Sequence, residues 1–211
     1  MYMKTDAGHA SLVATQLVDK AQHMKIMITG YARHGKDTVA DILAKDYGMN
    51  FVSSSYLMAE KVILPKMQQA WQMYYQAPEA EEALKPEWPD YADLDECYAD
   101  RIHHRQFWFE IIRDANMEDP AYLSREIFSL YDLYVGNRNP REFNAAKCAG
   151  LFDFSVWVDA GERLPAESKL SCGIEPWMND YILDNNGSEE DLERNVHRLM
   201  ATLKRKFANV N

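Results

Sequence analysis

Cysteine is scarce in this chain. Three occur among 211 residues, Cys97, Cys148 and Cys172, an odd number without a Cys-x-x-Cys pair. That excludes a disulfide framework and a thiolate zinc site, and makes a reduced cytoplasm the expected setting. Long apolar runs are missing too. Nothing approaches the roughly 18 residues of a membrane span, and the first 23 residues lack the apolar core of a signal peptide, so a soluble protein with no membrane partner is expected. Positive charge is in short supply, with 23 Lys and Arg against 33 Asp and Glu and a net charge of −10. Duplex DNA and anionic membranes reward clustered positive charge, so no nucleic-acid partner is expected and any polyanion must be small and met locally. Core-forming residues are plentiful. The chain is 47% hydrophobic, with 5 Trp, 12 Tyr and 8 Phe, which rules out wholesale disorder and fits one α/β domain carrying an insertion.

The negative charge is concentrated. Between Pro78 and Asp100 stand nine acids and one base, Lys85, giving −8 in 23 residues, while the other 188 residues sum to −2. If this stretch carries solvent-facing carboxylates, the remainder is nearly balanced and free to meet an anion. The expectation is that it points away from any phosphate cleft.

From Met24 the pattern alternates short β-type runs with helical ones, the mark of a parallel sheet with crossover helices. Strands are expected at Lys25–Thr29, Phe51–Ser53, Tyr131–Val135, Phe154–Val158 and Tyr181–Asp184. Val39, Ile42, Leu43 and Tyr47 share a helical face stopped by Gly48, and a helix over Arg141–Ala149 is closed by Gly150. The last helix opens at Ser188-Glu-Glu-Asp, a near capping box, and carries Leu192, Val196, Leu199, Leu203 and Phe207 as one stripe. Residues from Tyr56 to Leu130 do not alternate. Helical patterns around Lys61–Tyr75 and Asp95–Asp114, split by Pro78, Pro86 and Pro89, describe a helical insertion between the second and third strands. The expected organisation is an N-terminal arm over 1–23, outside the fold and free to be disordered, and a single domain over 24–211 with an insertion at about 56–130.

The chemistry sits in Gly30-Tyr-Ala-Arg-His-Gly35-Lys36-Asp37-Thr38. Two glycines four residues apart, followed by Lys, let a backbone wrap a phosphate with its N–H groups, and the helix beginning near Lys36 adds its positive end. Gly30, Ala32, Arg33, His34, Gly35, Lys36, Asp37 and Thr38 are therefore the expected ATP-binding loop, with Lys36 on the β and γ phosphates. Asp37 stands where Ser or Thr normally serves Mg²⁺, and Thr38 follows one place later. A carboxylate is a hard oxygen ligand, so Asp37 and Thr38 are both candidate metal residues. The alternative is a Gly-rich strand-to-helix turn without a ligand.

The Gly-Lys-Asp-Thr form of this loop resembles the deoxynucleoside monophosphate kinases of tailed bacteriophages and, more distantly, phosphomevalonate kinase and dephospho-coenzyme A kinase. Arg138-Asn-Pro-Arg-Glu142 looks like that family's Arg-x-x-x-Glu segment, and Asn185-Asn-Gly-Ser188 like its nucleotide-base loop. In order and spacing the resemblance runs from 24 to 207, with the insertion matched only by position. It implies a three-layer P-loop kinase fold with a five-stranded parallel sheet and a helical substrate-binding insertion. The implied activity is Mg²⁺-dependent transfer of the ATP γ-phosphoryl group to a (deoxy)nucleoside monophosphate, in the host cytoplasm if the chain is phage-encoded. Asn186 and Gly187 would lie against adenine. One departure concerns Gly136, which stands where several relatives have Asp, so a Walker-B-like carboxylate is missing there.

Phosphoryl transfer needs positive charge around the moving group and two substrates held in line. Arg138 follows the third strand, and Arg163 lies at a position resembling the family's short lid; with Lys36 and Asp37 they make the expected catalytic set. Arg101 and Arg105, spaced i and i+4, would project together with Tyr98 as a clamp for the acceptor phosphate. Arg141 and Ser54, the latter in the Ser53–Ser55 run after the second strand, complete the expected acceptor site. His103 and His104 are adjacent and make no metal pair. Trp71, Tyr74 and Tyr75 are expected as core, whereas Trp88, in the Pro-rich acidic loop, is harder to bury and is a candidate base cap. Two other readings stay open, a kinase for another small phosphorylated metabolite and an ATP-binding regulator without turnover. The acceptor's base and sugar, and monomer against homodimer, are left undecided.

Overall fold

A computed structural model describes residues 24–76, 85–169 and 171–208. The expected arm over 1–23 and the acidic positions before Lys85 lie outside the described residues.

Five parallel strands form the centre: β1 (Ile26–Thr29), β2 (Phe51–Ser53), β3 (Leu133–Val135), β4 (Phe154–Asp159) and β5 (Tyr181–Asp184), in the order β2-β3-β1-β4-β5. Alternation along β1 explains the layers, because successive side chains leave opposite faces of a strand. Ile26 and Ile28 point into one apolar cluster with Leu133, Val135, Val156 and Val158. Helix α1 (Lys36–Tyr47) covers that face through Val39, Ala40 and Leu43, as does the final helix over Glu189–Ala208 through Leu192, Val196, Leu199 and Leu203. Met27, Tyr134 and Trp157 point the other way. There they meet the insertion and a helix over Pro140–Cys148, which contributes Phe143 and Ala146. Burial on both faces is what parallel strands require.

The insertion is helical, as expected. It comprises α2 (Ser54–Met58), a π-helical turn at Ala59–Ile63, α3 (Leu64–Gln76), α4 (Leu94–Asp100), α5 (Arg105–Glu118) and α6 (Tyr122–Leu130). The last was not expected as a separate helix. The helices at Pro140–Cys148 and Glu189–Ala208 are α7 and α8. The capping box at α8 is reciprocal, Asp191 N–H donating to Ser188 Oγ and Ser188 N–H to Asp191 Oδ2.

One expected helix is broken. The pattern over Asp95–Asp114 divides at Arg101–His104, where Asp100 accepts from Tyr91 Oη at 2.6 Å and lies 3.2 Å from His104 Nε2. Those local bonds compete with continuing the helix. Of the described acids of the stretch, Glu87, Asp90, Asp93, Asp95 and Glu96 are exposed and Asp100 is half-buried. Asp90 and Asp95 accept from Tyr75 and Tyr56. Trp88 stacks on Phe107 at 4.4 Å and accepts the Trp71 indole N–H on its carbonyl, which makes it packing and not a base cap. Trp71 is buried, but Tyr75 is 62% exposed, against the core role expected of it. No helix among the described residues is long and apolar enough to cross a membrane.

Candidate active site

β1 and β3 are neighbours whose following helices, α1 and α7, lie on opposite faces of the sheet. A crevice opens at the carboxyl ends of two such strands, and ligands of open α/β sheets collect there. Its two rims are the turn Gly30–Gly35 and the segment Gly136–Asn139.

The turn is held from below and behind. Gly30 has φ +140°, and a Cβ there would stand 2.6 Å from the Val158 carbonyl oxygen, so only glycine lets the loop leave β1 beside β4. Tyr31 sets its ring edge-on to buried Trp157 at 4.9 Å. His34 is fully buried; its Nδ1 accepts from Ala160 N–H at 3.0 Å and its carbonyl accepts from Asn185 Nδ2 at 2.8 Å. An accepting Nδ1 leaves the proton on Nε2, and that buried N–H has no partner among the described residues. The expected ATP-binding role of His34 therefore reduces to its backbone. Arg33 is exposed with φ +64°, at the outer corner.

Lys36 opens α1 with its side chain folded over the loop, 6% exposed, Nζ donating to the Tyr31 carbonyl at 2.7 Å. Burial, and then the Arg138 guanidinium, pull this ammonium below its ordinary range, opposed by Asp37 and Glu167. Asp37 is exposed on the first turn of α1 and its carboxylate makes no hydrogen bond or ion pair among the described residues. Thr38, half-buried, follows it.

A second carboxylate enters from a segment without a recognisable motif. Glu167 Oε2 accepts from Ala32 N–H at 2.6 Å, while Oε1 accepts from Arg138 Nη1 at 2.8 Å and Ser171 Oγ at 3.0 Å. Burial by itself would raise this carboxyl, but the bonds from Ala32, Arg138 and Ser171 outweigh it and hold it below the ordinary range. Arg138 is therefore linked to the loop through a carboxylate that the sequence did not point to.

Beside this bridge lies a cavity of about 640 Å³. Ser54, Arg113, Arg138, Glu142 and Lys169 bring polar groups to it, and Phe109, Ile112 and Tyr134 give it apolar walls. The Arg101–Arg105 clamp is not formed, because the break at 101–104 separates the two. Arg101 lies 3.8 Å over the Tyr98 ring and donates to the Tyr98 carbonyl, and exposed Arg105 begins α5. Arg141 is exposed and points back to the Met117 carbonyl at 3.4 Å. Among the described arginines of the insertion, Arg113 is the one that lines the cavity, with its guanidinium also paired to Asp114 at 2.9 Å. Glu142 is pushed above its ordinary range by burial, with Asn139 opposing at 3.2 Å. Gly136 has φ +94°, a conformation that an Asp would adopt only under strain, and so fits the missing carboxylate.

The expected base-loop residues are knitted to the expected lid. Arg163 Nε donates to the Asn185 carbonyl at 2.9 Å, and Asn186 Oδ1 accepts from Glu162 N–H. Arg163 thus holds the 185–187 loop. Gly187 is exposed. The acidic and histidine group Asp46, Glu193 and His197 gathers at the opposite end of α1 from Lys36.

No protein-family model matches the chain, and no curated protein matches it.

Proposed function

We propose that this chain is a P-loop phosphotransferase that moves the γ-phosphoryl group of ATP, with Mg²⁺, to a (deoxy)nucleoside monophosphate, giving the diphosphate. The observation that carries the proposal is the pairing of two features at one sheet crevice. A glycine-bounded turn has its following lysine buried against it, and Arg138 links that turn to a cavity large enough for a second small molecule. The likeness of the 30–38 turn and of Arg138–Glu142 to phage deoxynucleotide kinases supports the choice of acceptor.

In this proposal the backbone amides of the turn and Lys36 hold the β and γ phosphates. Asp37 and Thr38 are the residues that would hold Mg²⁺, for which an exposed, unpaired carboxylate on the first turn of α1 is suitable. A bound ion would supply positive charge that offsets the negative charge of the phosphates. Arg138 stabilises negative charge on the equatorial oxygens, and Arg113 with Ser54 holds the acceptor in the cavity. No side-chain nucleophile takes part. Asn186 and Gly187 border adenine, and Arg163 acts on them by fixing the Asn185 carbonyl.

The test is a coupled ADP-release assay over the deoxynucleoside and ribonucleoside monophosphates, dephospho-coenzyme A and phosphomevalonate. Turnover with a nucleoside monophosphate is expected. Silence with every nucleotide and turnover with another acceptor moves the chain to the metabolite kinases. A second reading, ATP binding without turnover, is favoured by Glu167 standing between Arg138 and the turn. It predicts ATP-dependent thermal stabilisation with no acceptor-dependent ADP.

A further inference from the structure

The geometry points to the place held by Glu167 as an oxyanion subsite, built for a phosphoryl group from Ala32 N–H, the Arg138 guanidinium and the Ser171 hydroxyl, with Glu167 as its tethered competitor. This rests on the proposed function, since it assigns a ligand to the same crevice.

Three donors converge on one carboxylate at 2.6, 2.8 and 3.0 Å, and they come from three separate segments, the phosphate turn, the end of β3 and the 167–171 loop. Lys36 and Arg138 are close enough to each other for the guanidinium to lower the ammonium's proton affinity, and Glu167 offsets part of that repulsion. Two cations, Lys36 buried and Arg138 partly exposed, facing a backbone N–H favour an anion between them. A carboxylate supplies one negative charge and two oxygens; a phosphoryl group supplies more of both. Glu167 therefore keeps the subsite satisfied when no phosphate is present, and an arriving phosphate must displace it. Displacement frees the Glu167 side chain and leaves Ala32 N–H, the Arg138 guanidinium and the Ser171 hydroxyl on the phosphoryl oxygens. The subsite is polar, already formed, and carries its own occupancy switch.

A tethered competitor lowers apparent affinity by the fraction of molecules whose site is open. If nine molecules in ten are latched, removing the latch tightens binding about tenfold. The probes are inorganic tripolyphosphate, standing for the donor's tail, and inorganic phosphate, standing for the acceptor's group, each titrated calorimetrically into the full chain without metal. Glu167→Gln is expected to tighten at least one of them about tenfold, and Glu167→Ala, which also removes the hydrogen bonds, by at least as much. A gain confined to tripolyphosphate assigns the subsite to the donor, and one confined to phosphate assigns it to the acceptor. Glu162→Gln removes the same charge from an exposed position outside the subsite. An equal gain in that variant overturns the inference, because net charge then explains it. Unchanged or weaker binding in both Glu167 variants, with circular dichroism showing them folded, also overturns it and makes Glu167 a brace for the turn. If wild type binds tripolyphosphate in a Lys36-dependent manner without a Glu167 gain, this inference fails alone. If no variant binds either probe, the reading of the phosphate turn fails with it.

Discussion

The side-chain amide of Asn185 lies so close to Gly35 that a Cβ on the glycine would stand 2.3 Å from its Nδ2. That same nitrogen donates to the buried His34 carbonyl, so the first residue after β5 fastens the Gly30–Gly35 turn from behind. Gly35 has φ +92°, which costs a residue with a Cβ about 1–2 kcal/mol before any clash. Gly35→Ala is expected to lose about 2–3 kcal/mol once the disturbed Asn185 bond is added. Asn185→Ala alone leaves the His34 carbonyl unpaired, at about 1–3 kcal/mol. In urea unfolding the double variant should lose less than the sum of the two, since Asn185→Ala has already removed the contact. Simple additivity would show that the contact is not the cause.

Lys36→Met tests the turn without emptying the space of a buried side chain. ATP-dependent thermal stabilisation is expected to vanish and phosphoryl transfer to fall by about 100-fold or more, the usual loss when one preorganised electrostatic donor is removed. The unfolding midpoint without nucleotide should stay near wild type. A drop of that midpoint alone, with stabilisation by ATP intact, would assign Lys36 to structure.

Glu142 gives a pH-dependent test of stability. Burial raises its native pKa above the ordinary 4.5, so the folded state holds this proton more tightly than the unfolded chain. Its contribution is fully present below the unfolded pKa and is lost as pH rises through the raised folded one. Glu142→Gln removes that loss. The variant should match wild type below about pH 4.5 and become progressively more stable than it as pH rises towards neutrality. Parallel stability curves for the two proteins, measured by denaturant unfolding across this range, would contradict the burial-driven shift.

Acceptor binding separates the arginines of the insertion. Arg113→Ala is expected to raise the acceptor KM about 10-fold or more, the scale of one charge-assisted hydrogen bond, with the ATP KM unchanged. Arg105→Ala should leave both unchanged, because Arg105 is exposed at the start of α5 and does not line the cavity. A larger effect from Arg105 than from Arg113 would return the clamp to the residues that helical spacing selected.

Most of the sheet was legible in the sequence because apolar alternation is a local property. The runs ending at Thr29, Ser53, Val135 and Asp184 became strands, and Gly48 took the left-handed helix stop expected of it. The broken helix was not legible. Spacing placed Arg101 and Arg105 on one face, whereas the bonds that stop the helix run from Asp100 to Tyr91 and His104, and Tyr91 belongs to the preceding loop. The same limit applies to Glu167, whose three donors come from positions 32, 138 and 171.

The sequence by itself determined the glycine-bounded turn at 30–35, since its glycines, its lysine and the strand and helix around it are consecutive and their conformations follow from local sterics and periodicity. Tertiary structure alone decided what faces that turn. Sheet order sets Arg138 beside it, the 167–171 loop brings a carboxylate into the gap, and Asn185 crosses from β5 to close the back. The physical reason is that charge interactions and hydrogen bonds depend on distance in space, and no local pattern encodes which distant segments the packed sheet makes neighbours.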